Sequence, residues 1–367
     1  MKKLVLATAV AALSVTAAQA APTVYGKAFL TLDLNDGDTD RTTVTTTTVT
    51  NYDGTVASRV VGNSETTSVS TTGRSKLNSN ASRIGIRGSE ALTANTDVLY
   101  QLEYRVDVDA RDQRNFESRD TYLGLANKQY GTLLAGRLSA IDGRVDYANV
   151  TQGGVLGGDN VLASFDKPRA NNAFAYVAPT YNDVTVSAMY VMDENNSSDS
   201  LGRDAFGVAA QYEPKAPYRA GVSYIQAGDF KAARISGAYD LTPATTIGAL
   251  YQNTDFGGDD NENAFTLSAN HKVAQTPWTA YGQVDLVDNA NGNANAEKQR
   301  FVLGGKYAFN RATTGHIYGA YLNTDKLEYE TTTTSADPLL GQTRTVTVSG
   351  TEDYSGFGLG AGLEYKF

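Results

Sequence analysis

Residue types that perform covalent or metal chemistry are scarce in this chain, and their spacing argues against such chemistry. There is no cysteine, which excludes thiol nucleophiles and cysteine metal sites, and His271 and His316 are the only histidines, too few for a multi-histidine centre. Asp36, Asp38 and Asp40 alternate like the start of a calcium loop, but the loop length and terminal Glu that such coordination requires are not in register. Residues 356–362, GFGLGAG, have the glycine spacing of a dinucleotide loop, yet they sit in a period-two pattern with no helix to follow. Ser236 or Ser268 could be offered as a hydrolase nucleophile, but no motif surrounds either one. The remaining chemistry is that of fixed charge, and no cofactor is implied. Lys27, Glu103 and Arg105 each fall on the polar side of a segment whose other side is apolar.

Those segments share one rule. In 353–367, Phe357, Leu359, Ala361, Leu363, Tyr365 and Phe367 alternate with glycines, Glu364 and Lys366, which is the period of a strand. Val24 to Leu34 repeats it, with Val24, Leu30, Leu32 and Leu34 against Tyr25, Lys27, Phe29, Thr31 and Asp33. So does 97–109, where Tyr100, Leu102 and Tyr104 oppose Gln101, Glu103 and Arg105. The next segments fall near 117–127, 131–138, 171–179, 183–192, 204–213, 218–227, 231–240, 245–254, 263–273, 277–288, 298–309, 315–328 and 352–367. With the strands at 24–34, ending at 88, and at 97–109, these predict sixteen strands.

Short connections such as 128–130, 215–217 and 242–244 alternate with longer stretches of Asp, Asn, Gly and Thr. One rim therefore carries tight turns and the other carries loops, as in transmembrane barrels of even strand number. No stretch after residue 20 approaches the ~18 apolar residues of a helical span, while 22 tyrosines and only 8 prolines suit long strands with aromatic girdles. The fold class expected is all-β, a sixteen-stranded antiparallel transmembrane barrel, wide enough for an aqueous channel.

Three segments lie outside that pattern. Lys2 and Lys3 precede an apolar run from Leu4 to Val15 and the small-x-small site Ala18-Gln19-Ala20, so 1–20 reads as a signal peptide and 21–367 as the barrel. Residues 35–75 are rich in Thr, Asp, Gly and Ser. They read as a loop outside the membrane, either disordered or a Thr-rich hairpin. Residues 139–170 hold the other long connection, whose Val145, Val150, Val155, Leu156, Val161, Leu162 and Phe165 need a surface to pack on. The inside of the barrel is the roomiest one. The net charge of −9 argues against a nucleic-acid partner.

The strings VYGKA (24–28), SRIGIRGSEAL (82–92), SRDTYLGLANKQYGTLLAGR (118–137), GGVLGGDN (153–160) and EYKF (364–367) resemble, in order and spacing, the general porins of Gram-negative outer membranes. The resemblance implies a water-filled channel for passive diffusion of ions and small hydrophilic solutes, built as a homotrimer among outer-membrane lipid and lipopolysaccharide. It also implies that the third loop folds into the lumen and faces a ladder of arginines. Carried over by position, the ladder is Arg83, Arg119 and Arg169 with Arg137 nearby. Arg83 opposes Ile84 and Ile86, and by the same parity Arg119 opposes Tyr122. The loop pattern usually has a Glu where this chain has Val155, which leaves Asp159 as the acidic candidate and Asp142, Asp146 and Asp166 behind it. The resemblance further marks Phe367, with Tyr365, as the assembly signal. An adhesin or receptor barrel using the long outer loops is the alternative function, and planar-bilayer conductance separates the two.

Overall fold

The computed structural model describes residues 22–109, 115–154, 156, 158, 160–192, 204–258 and 260–367. The expected leader, 1–20, lies outside them. In chain order the strands are β1 (Thr23–Asn51), β2 (Val56–Val61), β3 (Glu65–Ser79), β4 (Arg83–Thr93), β5 (Thr96–Arg105), β6 (Thr121–Asn127), β7 (Gly131–Ser139), β8 (Arg169–Val177) and β9 (Val184–Val191). They continue as β10 (Ala205–Tyr212), β11 (Tyr218–Ala227), β12 (Phe230–Thr242), β13 (Thr245–Asp255), β14 (Glu262–Lys272) and β15 (Trp278–Asp288). The last are β16 (Glu297–Ala308), β17 (Thr313–Asp337) and β18 (Gln342–Lys366). From β4 to β18 each pairs antiparallel with the next around one sheet. Because β2, β3 and β4 succeed one another along the same side of β1, eighteen strands make sixteen staves. The other side of β1 pairs with β18 from Lys27↔Lys366 to Asn51↔Gln342, so the sheet is a closed sixteen-stranded barrel. Among the described residues no helix is long and apolar enough to cross a membrane.

The two faces of the wall follow the sequence alternation. On β1, Val24, Leu32 and Leu34 are exposed, while Phe29, Thr31 and Asp33 are at most 1% exposed. On β18, Phe357, Leu359, Leu363 and Tyr365 are exposed, as is Phe367 just after it, and on β12 Ile235 is exposed between the buried Arg234 and Ser236. An apolar face left bare around a closed barrel is what lipid requires. At the closing stave, Gly26 N–H donates to Phe367 O at 2.9 Å and Phe367 N–H donates back to Gly26 O at 3.1 Å. A Cβ at position 26 would lie 2.4 Å from the Phe367 ring, so only glycine admits that ring against the wall.

The Thr-rich stretch is strand rather than irregular loop. The distal part of β1 pairs with β2 and β3 on one side and with β18 on the other, and β17 continues beside β18 to Asp337↔Gln342. Of the two alternatives for 35–75, the hairpin is found, and β17 and β18 reach well beyond the expected limits of 328 and 352. Threonine's β-branch favours extended backbone, and cross-strand hydroxyl pairs add to it. Thr43 Oγ1 meets Tyr329 OH at 2.6 Å, Thr42 meets Thr66 at 3.2 Å and Thr332 meets Thr347 at 3.2 Å. Lys326, at φ 51°, forms a bulge where the β17–β18 register shifts, and this marks the junction between wall and extension.

Candidate functional site

The segment between β7 and β8 opens with one 3₁₀ turn, Ile141–Val145, and packs along the polar face of the wall. Its apolar residues do what their composition demands. Ile141 and Val145 join Leu138, Ala173, Met189, Ala209 and Ile225, while Ala148 and Val161 join Leu250, Ala264 and Val287. Leu156 joins Tyr281, Val302 and Tyr318. Glycines on three staves make room for it. A Cβ at Gly207 would meet Ile141 at 2.8 Å, one at Gly221 would meet Val145 at 2.6 Å, and one at Gly248 would meet Tyr147 O at 2.7 Å.

Polar side chains from β12 to β17 then hold the segment's backbone and acids. Arg234 reaches Asp166 at 2.9 Å, Asp142 at 3.3 Å and Gln252 Oε1 at 2.7 Å. Lys167 pairs with Asp146 at 2.8 Å and Asp166 at 3.4 Å, and its N–H donates to Asp142 Oδ2 at 2.8 Å. Burial pushes the Asp142 carboxyl up against the pull of Arg234. Its Oδ1 is buried without a hydrogen-bond partner, and a proton on Asp142 would balance two cations against the remaining two carboxylates. Further along, Arg300 contacts Asp285 through Nε at 3.0 Å and Nη2 at 2.8 Å and also donates to Asn160 O. Val150 N–H donates to Gln283 Oε1 at 2.9 Å, Ser164 N–H to Glu262 Oε1 at 2.8 Å and Gly154 N–H to Tyr318 OH at 3.3 Å. Buried ion pairs are strongly destabilised when one partner is removed, so these contacts fix where the segment lies.

A second group of charges occupies the staves from β1 to β8. Glu103 on β5 takes Arg119 at 2.7 Å, Arg83 at 3.5 Å and the Tyr25 hydroxyl at 3.0 Å. Asp120 takes Arg169 at 2.8 Å and the Ser139 hydroxyl at 2.9 Å. The Arg83, Arg119 and Arg169 side chains keep 33%, 16% and 25% of their surface exposed, so water reaches all three. Arg87 lies over the Tyr25 ring at 4.8 Å. Lys27 meets Glu364 at 3.6 Å, and Arg105 meets Asp107 at 2.9 Å.

The expected site residues divide accordingly. Arg83, Arg119 and Arg169 come together with Glu103, but Arg137 does not join them. Its stave pairs Gly136 with Tyr122 and Leu133 with Leu125, which puts Arg137 on the exposed face of Leu133, where it bonds Ser118 O at 2.9 Å and Asn171. Tyr122 also departs from the parity reading. The pairs Tyr104↔Ser118 and Gln101↔Tyr122 differ by one residue, so a bulge at Asp120–Thr121 brings Arg119 and Tyr122 to the same face. Asp142, Asp146 and Asp166 are engaged by Arg234 and Lys167, away from the arginines they were expected to oppose. Val155 and Asp159 lie outside the described residues. Tyr365 and Phe367 stack with centroids 6.2 Å apart on the exposed apolar face.

Sequence reasoning missed Arg234, Gln252, Glu262, Gln283, Arg300 and Tyr318. Their signal was present as polar residues on the same parity as small ones, in mid-strand. Ser236 Oγ accepts the Tyr147 N–H at 3.0 Å, His271 pairs with Thr245 at 2.8 Å, and His316 is buried 4.6 Å from the Phe29 ring. None of these is a nucleophile–base pair, and among the described residues no group of three His, Cys, Asp or Glu could hold a metal.

Residues 6–327 match the family model described as Gram-negative porin. The major outer membrane protein P.IA of Neisseria meningitidis is 24% identical over 304 residues, covering 68% of this chain and 77% of that protein. Among solved structures, an anion-selective porin from Comamonas acidovorans superposes with TM-score 0.61 at 19% identity, over 94% of this chain and 99% of its own. The in-vitro folded trimer form of OmpT, an outer membrane protein of Vibrio cholerae, superposes with TM-score 0.60 at 15% identity, over 94% and 99%.

Proposed function

This chain belongs to the Gram-negative porin family, and from that premise we propose that its barrel conducts ions and small hydrophilic solutes by passive diffusion, with segment 140–168 folded into the lumen as the constriction. A porin is an outer-membrane channel, so the bare apolar face meets lipid and lipopolysaccharide while the polar face meets water. The observation that carries the reading is the packing of 140–168 on the polar face. It engages staves from β10 to β17, and a short segment reaches so many of them most directly by crossing the inside.

A narrow water column with fixed charges selects solutes by width and by sign. Arg83, Arg119 and Arg169 with Glu103 are the charges placed to do so. A homotrimer is supported by the trimeric form of the Vibrio cholerae protein. Phe367, clasped by Gly26 at the closing stave, suits the role of assembly signal with Tyr365, and the Thr-rich extension lies outside the membrane on the loop-bearing rim. The porin family and fold point to a channel rather than an enzyme, and among the described residues no feature favours an adhesin over a channel.

In planar bilayers the purified protein is expected to give stepwise, ohmic conductance. A correctly folded barrel that gives none would overturn the proposal and return the adhesin reading.

A further inference from the structure

Above the barrel wall, β17 loses one of its two neighbours. It pairs with β16 from Ala308↔Thr314 to Glu297↔Asp325, and with β18 as far as Asp337↔Gln342. Beyond the bulge at Lys326 the strand therefore has β18 on one side and, among the described residues, no strand on the other. Every second N–H and C=O of 327–337 then points away from the hairpin, and residues 331–337 are exposed throughout. A long unpaired edge is a template for another strand unless lysine, proline or an inward charge blunts it. Here Lys326 stands at the foot and Pro338 in the turn, and between them the edge reads LEYETTTTSAD.

The charge along that edge has one sign. Glu328, Glu330 and Asp337 are the only charged side chains between Lys326 and Arg344. The pairs Glu328↔Thr351 and Glu330↔Ser349 share one face, and these four residues, with Tyr329 and Gly350, line a hollow of about 400 Å³. Both glutamates are exposed, and neither has an ion-pair partner among the described residues. On the neighbouring strand Glu352 is already taken by Arg41. Arg41 also lies over the Tyr329 ring at 5.0 Å, and the Tyr329 hydroxyl meets Thr43 Oγ1 at 2.6 Å, so the edge is held from its other face and loses little freedom when it pairs. Two acidic edges repel each other, which disfavours pairing of β17 with its own counterpart in a second copy. We infer that 327–337 is a docking edge for an extended, cationic peptide segment, which adds to β17 as a further strand and sets Lys or Arg side chains two residues apart against Glu328 and Glu330. In this mode of recognition main-chain hydrogen bonds supply affinity and alternate side chains supply the choice. The four threonines favour extended backbone without adding charge, so the selection falls to the acids.

The inference is independent of conduction, since a barrel that passes no ions could still bind at this edge. A labelled, end-capped peptide of alternating Thr and Lys would be titrated into the detergent-folded protein and followed by fluorescence anisotropy, with a Thr/Glu peptide as control. The Thr/Lys peptide is expected to bind and the Thr/Glu peptide to fail. Binding should weaken by about fivefold in Glu328→Gln/Glu330→Gln, the loss of two exposed cross-strand charge pairs. Hydrogen–deuterium exchange separates an added strand from loose attraction to an acidic surface: with peptide bound, amides of 327–337 should exchange more slowly while those of the barrel staves stay unchanged. Binding that is unaltered in the double variant, binding without protection of 327–337, or no binding would each overturn the inference. Protection of the same amides in the protein alone, rising with its concentration, would also overturn it and assign the edge to a second copy offering β3 with Arg74 and Lys76.

Discussion

Arg234 and Arg300 on one side of the barrel, and Arg83, Arg119 and Arg169 on the other, all face carboxylates at hydrogen-bonding or near-hydrogen-bonding distance. The first two are at most 3% exposed and each also bonds the backbone or a second side chain of segment 140–168. The other three are open to water, and Arg83 and Arg119 share a single acid. Burial converts an ion pair into an anchor, because an ion taken from water must keep its partner. Partial exposure leaves the charge available to a passing ion and makes the pair itself worth little to stability. Identical chemistry therefore serves position on one wall and stays open to water on the other, and the difference lies in what covers the pair.

The largest test of this contrast is to break one pair of each kind. Asp285→Ala removes the carboxylate that the buried Arg300 holds at 2.8 Å, and should destabilise the fold by about 3–5 kcal/mol. Asp120→Asn, whose carboxylate and partner Arg169 keep 31% and 25% of their side-chain surface exposed, should change stability by less than about 1 kcal/mol. Thermal unfolding in detergent, read by the heat-dependent electrophoretic shift of the barrel, checks both. Equal losses would erase the distinction.

A smaller effect concerns pH. Burial raises the folded-state pKa of Asp142 above its unfolded value, so the folded protein binds the extra proton between the two. Stability from this group is present below the ordinary carboxylate range and is lost as pH rises through the raised value. Docking of 140–168 should therefore tighten slightly as pH falls into that window, and Asp142→Asn should abolish the dependence. Proteolysis after Lys167, timed across mildly acidic to neutral pH, measures it.

The smallest expected effect lies outside both walls. Replacing 41–70 with a short Gly/Ser bridge removes part of the Thr-rich extension and none of the charged interior. Conductance and thermal stability should be nearly unchanged, since closing a shorter loop costs little. The unpaired edge left on the distal part of β18 should show as increased self-association.

The sixteen staves were legible because lipid on one side and water on the other impose a strict period of two, as Leu32 against Thr31 and Leu359 against Gly360 show. The Thr-rich extension was only half legible. Its Thr-rich sequence carries no apolar alternation to mark it, and β-branching alone does not set a boundary at Asn51 or Asp337. Arg83 and Arg169 could be placed by motif. Arg137 was misplaced because motif proximity carries no information about face, and Tyr122 because a bulge at Asp120–Thr121 shifts parity by one. The anchors Arg234 and Arg300 escaped notice because their partners lie in a connection far away in sequence, and no local pattern registers such a meeting.

The closure of β1 on β18 bears on how the barrel assembles. It joins residues roughly 290 to 340 positions apart, from Asn51↔Gln342 to Lys27↔Lys366, without a bulge along its length. Pairings of such separation raise contact order and belong to slow folding, whereas the β17–β18 hairpin, turned by residues 338–341, can form from neighbours. Nothing local fixes the register of the final zipper. A slip of one residue there would turn Phe357, Leu359, Leu363 and Tyr365 inward and carry Glu364 and Lys366 into lipid. The mutual hydrogen bonds of Gly26 and Phe367 form in one register only, so a slipped zipper would forfeit both.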